Sequence, residues 1–206
     1  MLASLAWTAL PCLAAPPDPA ALVATLERDP PARTAYTEVR FSGLFDRPLI
    51  LHGELEYLGP GRLGKTVTSP YTETMRVADG EGEVTRGNGE TRQFSLGQAP
   101  ELEGFLRGFT ALLGGDAKAL ATDFELAASG VAKQWRLVLT PRDARLRRRV
   151  SAIEVDGDAD GARCFRTREA DGDVNVLLVE ALADTKLAPR VSPMVVDGIC
   201  RGVEAP

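Results

Sequence analysis

The chain has 206 residues, of which 44% are hydrophobic, so it is long enough and apolar enough to bury the core of one domain. Its formal net charge of −5 argues against nucleic-acid binding, which usually needs a basic face. A single histidine leaves few routes to a histidine-based metal site or a catalytic triad. We therefore expect that the protein is not an enzyme and that it binds no metal or other cofactor.

The first fifteen residues are typical of a cleaved secretory signal peptide. They are apolar and end in small residues, although no Lys or Arg precedes the apolar run. Pro11 and the Pro16-Pro17 pair argue against the alternative, a buried N-terminal helix. We therefore expect residues 1–15 to be a signal peptide and residues 16–206 to form a single exported domain.

The next part of the chain predicts a short helix followed by a meander of antiparallel strands. Asp18 and Pro19 are a favourable N-cap and first turn. From residue 36 to residue 84, apolar residues recur at every second position, which is the period of a strand with one buried face. Turn-forming residues divide this stretch into intervals of strand length.

The period changes to that of a helix between Ala99 and Leu113, and Gly114-Gly115 ends the pattern. A further helical turn is predicted near residues 116–121, and strands return from Asp123 onwards. The last weak signal, Met194 to Val196, is interpreted as a strand. The wide apolar stripe of the 99–113 helix fits two roles, packing on the concave side of a sheet or covering a ligand cavity, and periodicity does not distinguish them.

Three smaller motifs have ordinary structural interpretations. The D-x-D-x-D-G sequence at 156–161 opens like a calcium loop, but Thr167 stands at the twelfth position, so a plain hairpin turn is favoured. The arginine-rich stretch at 142–149 fits either an acidic partner or lipid phosphates, or simply a solvated strand end. Cys164 and Cys200 remain after removal of the signal, as separate thiols or, as we predict, as a disulfide.

The order of short motifs in the meander resembles that of outer-membrane lipoprotein carriers of the LolA type. The motifs are F-x-G at 41–43, G-E-L-x-Y at 53–57, G-P-G at 59–61, S-P-Y at 69–71 and D-G at 79–80. The resemblance implies a mainly β fold, an unclosed antiparallel β-barrel whose concave face is covered by helices. Between the sheet and the helices, this family has an apolar cavity that takes acyl chains.

The resemblance also implies which residues line that lipid cavity. On the sheet side they are Phe41, Leu55, Tyr57, Leu63, Val67, Met75, Val77 and Trp135. On the helical lid they are Leu102, Phe105, Leu106 and Phe109. Two departures suggest a divergent branch: Gly59 stands where the carriers have an arginine, with Arg62 beyond the proline, and Lys65 stands where they have an aromatic residue.

The function implied by the resemblance is that of a monomeric periplasmic carrier. It would take an acylated lipoprotein, or other lipid-linked cargo, from an inner-membrane transporter and pass it to an outer-membrane acceptor, without binding nucleic acid. Two alternatives remain at this point. One is a structural or accessory envelope protein with a packed barrel, and the other is an enzyme that uses carboxylates in the same cavity.

Overall fold

The computed structural model describes residues 16–203. The predicted signal peptide, residues 1–15, lies outside the described residues, as do residues 204–206. No helix within 16–203 combines the length and the apolar character needed to cross a membrane.

The described residues form one antiparallel sheet of eleven strands, in the order β6-β5-β4-β3-β2-β1-β11-β10-β9-β8-β7. The strands are β1 Ala32–Phe41, β2 Leu49–Gly59, β3 Arg62–Ser69, β4 Glu73–Ala78, β5 Glu81–Arg86, β6 Thr91–Ser95, β7 Phe124–Val131, β8 Gln134–Pro141, β9 Val150–Asp158, β10 Gly161–Glu169 and β11 Val174–Val179. Strands β6 and β7 are the two edges, and they do not pair with each other. The predicted unclosed antiparallel β-barrel is therefore confirmed.

Within residues 16–203, five helices accompany the sheet, four on one face and one on the other. They are α1 Pro19–Thr25, α2 Pro100–Leu113, α3 Ala117–Asp123, α4 Ala144–Arg147 and α5 Pro193–Arg201, with 3₁₀ turns at Leu96–Gln98 and Glu180–Leu182. The short helix predicted after Asp18 and the helix predicted at 99–113 are both confirmed. Asp18 caps α1 by accepting a hydrogen bond from the amide of Ala21 at 3.1 Å.

In the described part of the chain, strand alternation produces two hydrophobic cores, one on each face of the sheet. On the concave face, the main core unites one side of the sheet with α1, α2, α3 and α4, and it includes Leu51, Tyr57 and Val155. On the convex face, a smaller cluster packs α5 against the sheet, and it includes Val39 of β1 and Val196 of α5. Successive side chains of a strand point to opposite faces of the sheet, so β1, β10 and β11 contribute residues to both cores.

The strand expected at Met194 to Val196 is wrong, because these residues belong to α5. Ser192 caps this helix by accepting from the amide of Val195 at 3.3 Å, and Pro193 occupies its first turn. Gly202 ends it in the left-handed conformation, at φ 66°. These start and stop signals were present in the sequence, but the segment is short and only half apolar.

Helix α5 is fixed to the sheet by covalent and ionic contacts. Cys200 forms a disulfide with Cys164 of β10, with Cα atoms 5.5 Å apart. Beside it, Arg166 donates to Glu154 at 2.7 Å, to Asp156 at 3.2 Å and to Asp197 of α5 at 2.9 Å. Because Arg166 has three carboxylate partners, its buried charge is compensated.

Candidate functional site

A cavity of about 370 Å³ lies between α2 and the concave face of the sheet. Its apolar lining comes from α2, from α4 and from segments in both halves of the sheet. The lining residues are Leu55, Leu63, Met75, Leu102, Phe105, Leu106, Phe109, Leu146, Val150, Ile153, Phe165 and Leu177. A recess of about 60 Å³, bordered by Tyr57, adjoins it and shares Leu55, Leu63, Phe109 and Phe165 with it.

Aromatic rings form the helical wall of the cavity. Phe105 and Phe109 lie four residues apart and therefore on one face of α2, with ring centroids 6.2 Å apart and planes inclined by 11°. Phe109 also meets Phe165 of β10 edge to face, at 5.5 Å between centroids. The wall is thus shared between a helix and a strand that are far apart in the sequence.

The sheet side of the cavity carries a buried ion pair. Glu38 of β1 is 4% exposed, and its carboxylate accepts from Lys65 Nζ at 2.6 Å and from Arg40 Nε at 2.9 Å. Burial alone would raise the pKa of Glu38, but the charge of Lys65 and the hydrogen bonds from Arg40 hold that pKa below its ordinary value. Lys65 also lies 5.1 Å from the ring centre of Tyr36.

Polar side chains mark one end of the cavity, which we call the mouth. They are Thr167 and Glu169 of β10 and Asn175 of the neighbouring β11. The side-chain amide of Asn175 donates to the Glu169 carboxylate at 2.8 Å. Glu101 at the start of α2 and Arg149 just before β9 complete this end of the lining. The cavity is therefore mainly apolar, with one ion pair on its sheet wall and further charged and hydrogen-bonding groups at the mouth.

Helix α2 is held along its far side and at its C-terminal end. Gly108 lets the helix approach the buried ring of Phe124, and Arg107 forms an ion pair with Asp123 at 2.7 Å. At the end of the helix, the carbonyl of Leu113 accepts from the amide of Arg28 at 2.8 Å. The N-cap residue, Ala99, makes no side-chain capping bond, so the N-terminal end lacks that capping interaction.

The structure brings seven of the twelve expected lining residues to the cavity. These are Leu55, Leu63, Met75, Leu102, Phe105, Leu106 and Phe109. Tyr57 borders the adjoining recess instead. Val67, Val77 and Trp135 are buried in the main core and do not border the cavity.

Phe41 is a correction, because it lies on the convex face. It packs beside the smaller cluster near Val39 and Val174. Alternation along β1 explains the error: Tyr36 and Glu38 face the concave side, so the odd-numbered Phe41 faces away.

Sequence reasoning missed the lining from the second half of the chain. Ile153, Phe165 and Leu177 come from β9, β10 and β11, and Leu146 comes from α4. The alternation of Phe165 with Thr167, and of Asn175 with Leu177, was a usable signal for one shared face. It did not show that this face meets α2 across the cavity.

The other candidate motifs have structural roles. The 156–161 motif spans the hairpin between β9 and β10, and no metal-binding cluster of three or more His, Cys, Asp or Glu side chains occurs within 16–203. His52 is exposed on the convex side, with Nδ1 2.8 Å from the hydroxyl of Thr37. The arginine-rich stretch contains the short helix α4, which starts at the N-cap Asp143.

Comparisons with known proteins give a family match and several similar structures. A sequence model of the family described as outer membrane lipoprotein carrier protein LolA-like matches residues 14–203. The structure is similar to a LolA superfamily protein from Nitrosomonas europaea at 12% identity, covering 81% of this chain and 92% of that one, with a TM-score of 0.41. A DUF1329 family protein from Desulfovibrio piger is similar at 10% identity, 82% and 92% coverage and a TM-score of 0.43. A comparison with curated protein sequences gives no significant match.

Proposed function

Because the chain belongs to the family of LolA-like outer membrane lipoprotein carrier proteins, we propose that it is a carrier that shields acyl chains from water. The observation that carries the proposal is the cavity of about 370 Å³ between α2 and the sheet. Its volume falls within the range of about 300–1,000 Å³ that is usual for ligand pockets. Most of its lining is aliphatic and aromatic, as a hydrocarbon ligand requires.

The energetics suit a carrier that must also release its cargo. Burying one methylene group contributes about 0.8 kcal/mol, so shielding roughly ten of them contributes about 8 kcal/mol. That free energy is enough to hold an acyl chain away from water. It is also small enough for transfer to an acceptor that buries more of the chain.

The proposed cargo is an acylated lipoprotein or another lipid-linked product, and the proposed compartment is the periplasm. An inner-membrane transporter would load the carrier and an outer-membrane acceptor would unload it, while the carrier acts as a monomer. The family membership and the apolar leader at residues 1–15 support this part of the proposal. Mass spectrometry of what co-purifies from the native envelope tests the cargo directly.

The structure favours the carrier over its two alternatives. A structural barrel would be packed, whereas this one leaves space beneath α2. A carboxylate-using enzyme needs a carboxyl group that is free to exchange protons. Glu38, the deeply buried carboxylate of the cavity, is instead occupied by Lys65 and Arg40 and has a lowered pKa.

The decisive variant is Phe105→Asp, measured as uptake of a fluorescent fatty acid together with the melting temperature. Phe105 is half-buried on the cavity wall, and an aspartate there places a charge against the ligand at a cost of several kcal/mol. We expect acyl binding to be abolished while the sheet still folds, because most of the main core lies outside the cavity.

The matched control is Leu112→Ala on the same helix. Leu112 is fully buried but does not border the cavity, so its truncation should cost about 2–5 kcal/mol of stability and leave uptake intact below the melting transition. Normal uptake by a folded Phe105→Asp protein would overturn the proposal. Equal loss of uptake in both variants would assign α2 a purely structural role.

A further inference from the structure

Two large apolar side chains project from the loop between β1 and β2. Leu44 is 89% exposed and Phe45 is 49% exposed, and we call this pair the apolar tip. The loop is held in a defined turn. The amide of Phe45 donates to the carbonyl of Ser42 at 3.1 Å, and the amide of Leu44 donates to the Ser42 hydroxyl at 3.2 Å. Phe45 also lines a surface groove that this loop shares with Val191 and Pro193, so Leu44 is the more exposed residue of the tip.

A second unusual feature is the stretch 142–149, which we call the basic segment. It contains five arginines and one acidic residue, in a chain whose net charge is −5. The one acid, Asp143, uses its carboxylate to cap α4 by accepting from the amides of Arg145 and Leu146. None of the five arginines forms a salt bridge with an acidic residue within 16–203.

The turn between β10 and β11 joins the apolar tip to the basic segment. On one side, the Asp173 carboxylate accepts from the amide of Gly43 at 3.2 Å. On the other side, the amide of Ala170 donates to the carbonyl of Arg149 at 3.0 Å. Arg149 and Glu169 are also part of the cavity mouth. The tip, the basic segment and the mouth therefore lie together at one end of the molecule.

We propose that this end of the protein docks on a membrane surface that contains anionic lipids. The apolar tip enters the boundary between headgroups and acyl chains, and the arginines of the basic segment bind lipid phosphates. The cavity mouth then faces the bilayer. A ligand could pass between the membrane and the cavity without crossing open water.

The chemistry of this end favours a lipid surface over an acidic protein patch. An acidic protein would leave Leu44 in water or need a pocket for it, whereas a bilayer accepts a protruding apolar side chain anywhere on its surface. The turn also contains two acids, but Asp171 and Asp173 direct carboxylate oxygens to backbone amides at 3.1 and 3.2 Å.

The test is co-sedimentation of ligand-free protein with vesicles of phosphatidylcholine alone and of a phosphatidylcholine–phosphatidylglycerol mixture. We expect binding to the anionic mixture that weakens as salt is added, and little binding to the neutral vesicles. Replacing Arg145 and Arg148 with glutamine should weaken binding about fivefold per arginine. Leu44→Asp should weaken it by about tenfold or more.

Matched controls lie at the opposite end of the strands. Arg62→Gln changes an exposed arginine at the start of β3, and Val131→Asp changes an exposed apolar residue at the end of β7. Both should bind vesicles as the unmodified protein does. Failure of the unmodified protein to bind anionic vesicles, or an equal effect of the controls, overturns the proposal and leaves an acidic protein as the partner of this end.

The docking proposal and the carrier proposal can fail separately. Docking is measured without ligand, and uptake of a fluorescent fatty acid is measured without vesicles. Leu44, Arg145 and Arg148 do not border the cavity, so their variants should keep normal uptake from solution. Loss of docking with intact uptake supports the membrane face, whereas normal docking by these variants refutes it.

Discussion

Lys65 and Glu38 form an ion pair on the sheet side of the cavity, with Nζ 2.6 Å from Oε2. Lys65 stands at a position where the resemblance to LolA-type carriers implies an aromatic residue. The lysine is tolerated here because Glu38 on β1 and the ring of Tyr36 surround its ammonium group. The two charges depend on each other, since each would be costly to bury alone.

Lys65→Met should destabilise the protein by about 2–3 kcal/mol, because Glu38 would keep its burial but lose its closest cation. Urea unfolding at pH 7 measures the change. The double variant Lys65→Met/Glu38→Leu should recover most of the loss, since an apolar pair of similar volume needs no compensation. A double variant as unstable as the single one would show that the ion pair is not the cause.

Stability should also depend on pH through Glu38. Burial alone would raise its pKa, but Lys65 and Arg40 lower it by a larger amount. The pKa of Glu38 in the folded protein therefore lies below the ordinary value of 4.5. The stabilisation is therefore fully present above pH 4.5 and is lost as the pH falls through the folded pKa. We expect the stability difference between the unmodified protein and Glu38→Gln to be largest near neutral pH and to shrink in acid. A difference that stays constant with pH would contradict this.

Elements whose signal is local could be predicted from the sequence. Alternation over residues 36–84 predicted strands with one buried face, and the structure buries Leu51 and Tyr57 on one face of β2. The helical spacing and the closing glycines gave α2 to within one residue of its start at Pro100. The fold class itself came from the order of the motifs, because strand-length intervals separated by turns specify a meander but not its curvature.

Elements that depend on distant partners could not be predicted in the same way. The pairing of β1 with β11 joins residues such as Tyr36 and Val179, and no local pattern specifies it. This pairing brings the second-half lining residues, including Leu177, to the cavity. For the same reason, the face of β1 on which Phe41 lies was assigned wrongly, since alternation gives two faces without saying which one is concave.

Gly108 should be intolerant of substitution because it sets the distance between α2 and β7. A Cβ atom there would overlap the ring of Phe124, which is fully buried and has no room to turn. We expect Gly108→Ala to lower stability by about 1–3 kcal/mol. Gly104→Ala is the control, since its Cβ would meet only Leu146 at 3.6 Å and alanine favours the helix. Thermal unfolding of the two variants should give shifts of opposite sign.

Among the residues under α5, Arg166 should be the one whose replacement lowers the stability of the protein most. It is 3% exposed and balances three carboxylates, Glu154, Asp156 and Asp197. Arg166→Met should cost about 2–3 kcal/mol, because the buried carboxylates of Glu154 and Asp156 each lose a charged hydrogen-bond donor while keeping Arg168 and Arg136 as partners. Arg201→Met removes an exposed partner of Asp197 and should cost at most about 1 kcal/mol. Equal costs in guanidinium unfolding would show that burial of the network is unimportant.

The disulfide between Cys164 and Cys200 should stabilise the convex face without affecting the cavity. It closes a segment with a sequence separation of 36, for which the chain-entropy estimate is about 4 kcal/mol. Replacing both cysteines with serine should therefore lower the free energy of unfolding by a few kcal/mol and loosen α5. Uptake of a fluorescent fatty acid should persist, because α5 packs on the face opposite to the cavity. Intact mass under non-reducing conditions should be about two units below that of the reduced protein. Free alkylation of both cysteines in the native protein, or loss of uptake in a folded double-serine variant, would contradict this assignment.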